Sequence, residues 1–167
     1  MSEPLVLRSA CGRTCRIDPP VLLAPMDGIT DHLFRALVAP LGGLGAVCSE
    51  FARVSVAPLP ARSLRAILGR PLPGLANGLQ LMAAGTDHLA ATAATAAGLG
   101  LDFIDLNFGC PVKRVVNKCA GAALLAHPER MAAMVACAVA AQPLPVTVKL
   151  RPGLEDADRL EELLDAV

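Results

Sequence analysis

The stretch "FIDLNFGCP", Phe103 to Pro111, decides how this chain folds. Phe103 to Leu106 is a short, nearly continuous apolar run, as in a strand buried on both faces. Towards its end Asp105 and Asn107 alternate with Ile104, Leu106 and Phe108, which puts two polar side chains on one face. Gly109 permits a sharp bend, and Pro111 biases Cys110 towards an extended conformation. The thiol is thereby aimed at the mouth of a sheet.

The same kind of run recurs on both sides of this stretch, at Val21 to Ala24, Gly45 to Cys48, Leu79 to Met82 and Val146 to Lys149. Longer helix-like segments separate them. Thr30 to Val38 and Thr86 to Ala97 each offer a threonine cap, Pro128 to Ala141 opens with a first-turn proline, and Glu155 to Val167 begins acidic. Arg62 to Leu68 suits a short helix within a Pro- and Gly-rich stretch. The alternation predicts βα units on a parallel sheet, preceded by a hairpin over Leu5 to Ile17 that turns at Cys11-Gly12-Arg13. Five such units suit either an open doubly wound sheet or part of a TIM-type (β/α) barrel, and local pattern does not separate the two. The first strand is followed by Pro25-Met26-Asp27-Gly28 rather than a G-x-G-x-x-G fingerprint. The unusual residues fall at strand ends, where barrels place their chemistry: Pro25-Met26, Glu50, Gln80, Asn107 to Pro111, and Lys149 with Arg151. The expected fold is therefore α/β, an incomplete barrel of five units, because a full one takes about 250 residues and this chain has 167.

Composition narrows the functions. Hydrophobic residues make up 54% and the net charge is zero, so disorder is excluded and no global field draws nucleic acid. With 2% aromatic residues and no Trp or Tyr, the chain offers no aromatic platform for stacking unpaired bases. The six cysteines, at 11, 15, 48, 110, 119 and 137, are scattered and no secretory signal precedes them, which points to free thiols in a reducing, cytoplasmic setting. Cys11 and Cys15 lack a second ligand pair at zinc spacing, so no metal is expected. The longest apolar run, Met131 to Ala141, falls short of a membrane span.

Among candidate residues, Cys110 suits a proton donor or a nucleophile, because a free thiol is largely protonated at neutral pH yet readily ionised; a buried inert cysteine is the alternative. Lys149 could hold an anion, stabilise an electron-rich ring or form a Schiff base, or could simply reach solvent. Gln80 lies in an apolar run, where an amide needs partners. Glu50 is placed similarly. Lys113, Arg114 and Lys118 make a basic loop, and no pair among His32, His88 and His127 has metal-ligand spacing.

The motifs "LAPMDGITDHLFR", "SEF", "LQLM", "DFIDLNFGCPVKRV", "AGAALL" and "VTVKLRPG" together resemble the tRNA-dihydrouridine synthases, flavin enzymes built on an FMN-binding barrel followed by a helical domain. The likeness covers nearly all of Val21 to Gly153. It departs at Ala83, where the family commonly has glycine, and at Leu154, where a tryptophan is frequent. It implies that reduced FMN delivers hydride to C6 of a flipped-out uracil in the tRNA D-loop, that Cys110 protonates C5 from the opposite side, and that NADPH reloads the flavin. Lys149, Gln80 and the Pro25-Met26 backbone would hold the flavin; Asn107 and Arg151 would contact the uracil edge; Lys113 to Lys118 would lie near the RNA. "SEFARV" leans towards the subfamily acting at position sixteen. On this likeness residues 1–18 form an N-terminal hairpin and 21–167 the first five units. The later phosphate-binding loops and the RNA-binding domain lie outside, so the chain alone should bind FMN poorly or not at all and should self-associate through exposed strand edges. Three alternatives stay open: a flavin barrel acting on a free pyrimidine, such as a dihydroorotate dehydrogenase; a Schiff-base aldolase using Lys149; and a non-catalytic half-barrel.

Overall fold

A computed structural model describes residues 3–153 and 159–167. The expected helix start at Glu155 and the departure at Leu154 lie outside the described residues. Strands β1 (Leu5–Arg8) and β2 (Thr14–Ile17) form the antiparallel hairpin, with Leu5 opposite Ile17 and Arg8 opposite Thr14. The repeating units follow: β3 (Leu22–Leu23) with α1 (His32–Val38), β4 (Ala46–Arg53) with α2 (Ala61–Leu68), and β5 (Ala76–Met82) with α3 (Leu89–Ala97). Next come β6 (Phe103–Asn107) with α4 (Lys113–Val116) and α5 (Pro128–Ala141), then β7 (Val146–Lys149) with α6 (Leu160–Asp165).

The five repeat strands are all parallel, and their spatial order is their sequence order, β3-β4-β5-β6-β7. A doubly wound sheet reverses its order at a switch point. Here nothing reverses, so the sheet is the growing wall of an incomplete (β/α) barrel. Its outer face packs Leu79, Leu81, Ile104 and Leu106 against Leu64, Leu89, Ala93, Met131, Met134 and Ala138 of the helices, the main core.

The inner face is built in levels. At the bottom the hairpin's Cys15 and Ile17 meet Ala46, Cys48, Ala76 and Phe103. Gly78 is required here: a Cβ on it would sit 2.2 Å from Cζ of Phe103. One level higher, Gln80 stands beside Asp105 and Asp105 beside Thr147; above them Asn107 stands beside Lys149. The interior therefore passes from apolar to polar towards the strands' C-terminal ends.

Several local expectations shift. Asp31, not Thr30, caps α1, accepting from the Phe34 N–H at 2.8 Å. The buried Thr30 instead exchanges hydrogen bonds with the Met26 backbone. Helix α3 starts at Leu89 rather than Thr86, because His88 has a left-handed φ of 62° that cannot continue a helical path. Strands β4 and β5 outrun their apolar runs because they pair with each other from Ala46–Ala76 to Arg53–Met82. The basic loop contains the short helix α4, pinned by the buried Val115.

Candidate active site

The C-terminal ends of the strands surround a cleft of about 550 Å³. All the residues singled out in the sequence for cofactor or substrate line it: Pro25, Met26, Gln80, Asn107, Cys110, Lys149 and Arg151. Phe51, Val112 and Leu150 add apolar wall.

The cleft floor is a continuous hydrogen-bonded chain. Asp105, 6% exposed, accepts from Thr147 Oγ1 at 2.7 Å and from Gln80 Nε2 at 2.6 Å. Gln80 Oε1 accepts from Asn107 Nδ2 at 2.8 Å, and Asn107 Oδ1 accepts from the N–H groups of Gly109 and Cys110 at 3.2 and 3.0 Å. These bonds fix the amide orientations of Gln80 and Asn107. Each keeps one side-chain N–H to offer elsewhere. Burial pushes the Asp105 carboxyl up, while its bonds to Thr147 and Gln80 and the charge of Lys149 act the other way.

The cysteine loop is held from both sides. On one side the Asn107 carbonyl receives the Cys110 N–H; on the other the Cys110 carbonyl accepts from the Ala122 N–H at 3.0 Å. Gly121, at φ 58°, makes that second approach possible, since a Cβ there would lie 2.7 Å from the Cys110 oxygen. The thiol is half-buried, a free cysteine at the cleft wall.

The opposite wall, Pro25 to Thr30, is tied down at separate points. Lys149 Nζ donates to the Pro25 carbonyl at 2.8 Å, Glu50 accepts from the Gly28 N–H, and Arg114 stands 3.9 Å from Asp27. Glu50 is thus a loop anchor rather than a solvated strand end. Behind this wall lies Arg35, which drew no notice in the sequence. It is 2% exposed and donates to the carbonyls of Thr30, Asp31, Ile67 and Leu68, joining α1 to the end of α2.

Asp105 and Thr147 are the site residues that the sequence reading left without a role. The signal for Asp105 was there, a carboxylate within a buried strand, which demands partners. Thr147 carried none, since threonine is an ordinary strand residue. Among the described residues no group of three or more His, Cys, Asp or Glu side chains could hold a metal. Among them, too, no helix is long and apolar enough to cross a membrane.

Comparison with known proteins places this chain in a family. The family described as "Dihydrouridine synthase (Dus)" matches residues 22–167. A probable tRNA-dihydrouridine synthase of Rhodobacter capsulatus is 40% identical over 142 residues, which cover 84% of this chain and 44% of that protein. The tRNA-dihydrouridine(16) synthase of Vibrio vulnificus is 37% identical over 159 residues, 88% of this chain and 49% of that protein. That of Ralstonia nicotianae is 39% identical over 148 residues, 81% of this chain and 44% of its own length. The chain therefore spans less than half the length of these relatives.

Proposed function

The chain belongs to the dihydrouridine synthase family, and from that premise we propose that its cleft serves the reduction of the C5–C6 double bond of a D-loop uridine in tRNA. The observation that carries this reading is the convergence of Cys110, Lys149, Arg151 and the Gln80–Asn107 amide chain in one cleft at the strand ends. Relatives named for position 16 support that uridine as the target.

The donor set suits FMN. A flat heterocycle needs apolar walls, available from Met26, Phe51 and Leu150, and a polar edge, available from Gln80, Lys149 and the Pro25-Met26 backbone. When bound, the flavin would supply hydride to C6, with NADPH restoring its reduced form. Lys149 holds a positive charge where an anionic ring would be stabilised. Asn107 and Arg151 orient the uracil edge, and the proton needed at C5 comes from Cys110 Sγ. A thiol on such a loop suits that step, because the Cys110 backbone is held by hydrogen bonds from both sides, to Asn107 and from Ala122. The base must leave its stack to reach such a cleft.

The test is quenching of FMN fluorescence by the purified chain and by the chain completed with the remaining length of a relative, followed by dihydrouridine formation on unmodified tRNA with NADPH. Weak quenching is expected of the chain alone and saturable quenching of the completed chain, in which Cys110→Ala should keep it while losing reduction. Absence of any quenching by the completed chain would refute the flavin reading, and unchanged turnover in its Cys110→Ala variant would remove the proton-donor role. Turnover of free pyrimidine acids without RNA would replace the tRNA reading.

A further inference from the structure

A second cavity, of about 380 Å³, lies beside the cleft and is lined by Arg53, Ser55, Met82, Gly85, Lys118 and Arg130 among others. Its cations come from three separate parts of the chain: the end of β4, the segment after α4, and the first turn of α5. Arg53 and Arg130 are half-buried and Lys118 is exposed. Asp87 is the carboxylate on the lining, so three positive groups face a single negative one. None of the three cations forms an ion pair among the described residues. Arg53 lies 5.6 Å from the centroid of the Phe51 ring, and Arg130 donates to the Ala84 carbonyl. These contacts position the two guanidiniums without neutralising them. Like charges gathered around a concavity repel one another unless an anion enters.

The cavity shares a wall with the cleft. Met82, Val115 and Ala120 form a small apolar cluster against which Phe51, Ala84 and Cys110 pack. Phe51 and Cys110 face the cleft, whereas Met82 and Ala120 face the cationic cavity. A group held in one is therefore a single side-chain layer from a group held in the other.

We propose that this cavity binds a backbone phosphodiester of the RNA whose base occupies the cleft. The inference rests on the reading of the cleft as a uridine site. A nucleotide drawn into the cleft carries its sugar-phosphate chain out across the rim, and the flanking phosphate meets Arg53, Lys118 and Arg130 there. Planar guanidiniums match phosphate oxygens in pairs, and the ammonium of Lys118 adds a point charge at the open side.

The test uses the whole 167-residue chain with a fluorescein-labelled single-stranded oligouridylate, read by anisotropy across a salt series, for the unaltered chain and for Lys118→Gln and Arg53→Gln. Affinity should fall several-fold in each variant, and the slope of log K against log salt should shrink by about 0.7 for each phosphate contact removed. FMN quenching should stay unchanged. Lys118 is exposed, so its variant keeps the fold and isolates the charge. Unchanged affinity and slope in both variants would overturn the proposal, as would an unaltered chain that binds no oligouridylate. Displacement of the probe by NADPH but not by unlabelled RNA would also overturn it, assigning the cavity to a dinucleotide phosphate. RNA binding through these cations, with no FMN quenching even by the chain completed with the remaining length of a relative, would sustain the cavity and remove the flavin reading.

Discussion

Replacing Asp105 by leucine and, separately, by asparagine distinguishes its hydrogen bonds from its charge. Leucine leaves Gln80 Nε2 and Thr147 Oγ1 without the acceptor they now reach at 2.6 and 2.7 Å. Gln80 is 1% exposed, so its Nε2–H loses its acceptor with no water to replace it, while the half-buried Thr147 recovers part of its loss from water. Together these cost about 2 to 4 kcal/mol, a fall in Tm of roughly 4 to 16 °C for a domain of this size. Asparagine keeps a carbonyl for Gln80 and presents its NH₂ to Thr147, whose hydroxyl can rotate from donor to acceptor; the cost should stay below about 1 kcal/mol. The two variants also differ in pH response. Because burial raises the folded pKa of Asp105, its stabilising contribution is complete below the unfolded value of 3.8 and is lost as pH rises through the folded value. The unaltered chain should therefore lose stability relative to Asp105→Asn as pH climbs through that window. Thermal unfolding followed by circular dichroism over a pH series checks both points. Equal losses in the two variants would show that charge, not hydrogen bonding, holds the cleft floor, and a tolerated leucine would show that the chain of bonds carries no stability.

Gly78→Ala drives a methyl into the Phe103 ring and should cost about 1 to 3 kcal/mol by overpacking, with Phe103→Leu relieving part of it in the double variant; denaturant unfolding reads both. Arg35→Met strips hydrogen bonds from four buried or half-buried carbonyls and should lower stability by about 2 to 4 kcal/mol, with Arg35→Lys recovering only part, since one ammonium cannot span both helices. Lys149→Ala releases the Pro25 carbonyl and removes one of the cleft's two cations, so FMN quenching by the completed chain should weaken; unaltered quenching would count against its place beside the ring. Burial pushes the Cys15 thiol up to about 11 and holds Cys48 well above the usual range, so at pH 8 a thiol reagent should label Cys11 and Cys119 and spare those two until the chain unfolds.

The βα repeat was legible because near-continuous apolar runs and helical segments alternate so regularly. Strand β7 and helix α5 begin and end where the sequence places them, at Val146–Lys149 and Pro128–Ala141. The motif residues were legible for a related reason: a thiol, an amide and a lysine at strand ends have no role in a core, so their position marks them. What the pattern left open, the choice between barrel and doubly wound sheet, was settled by strand order, which is a property of which strands hydrogen-bond to which and leaves no local trace.

The remaining gaps have the same origin. Asp105, Thr147 and Arg35 take their meaning from partners far along the chain, 42 residues away for Asp105 with Thr147 and 33 for Arg35 with Leu68. Likewise Arg53, Lys118 and Arg130 stand in separate segments until the fold gathers them around one cavity. The sequence by itself determined the units, their buried faces and the residues that could carry chemistry, because hydrophobic periodicity and backbone preference act over a few neighbouring positions. Only the tertiary structure decided which of those residues meet, how the amides point and where unpaired charge collects, because burial and hydrogen bonding act between atoms brought close by the fold.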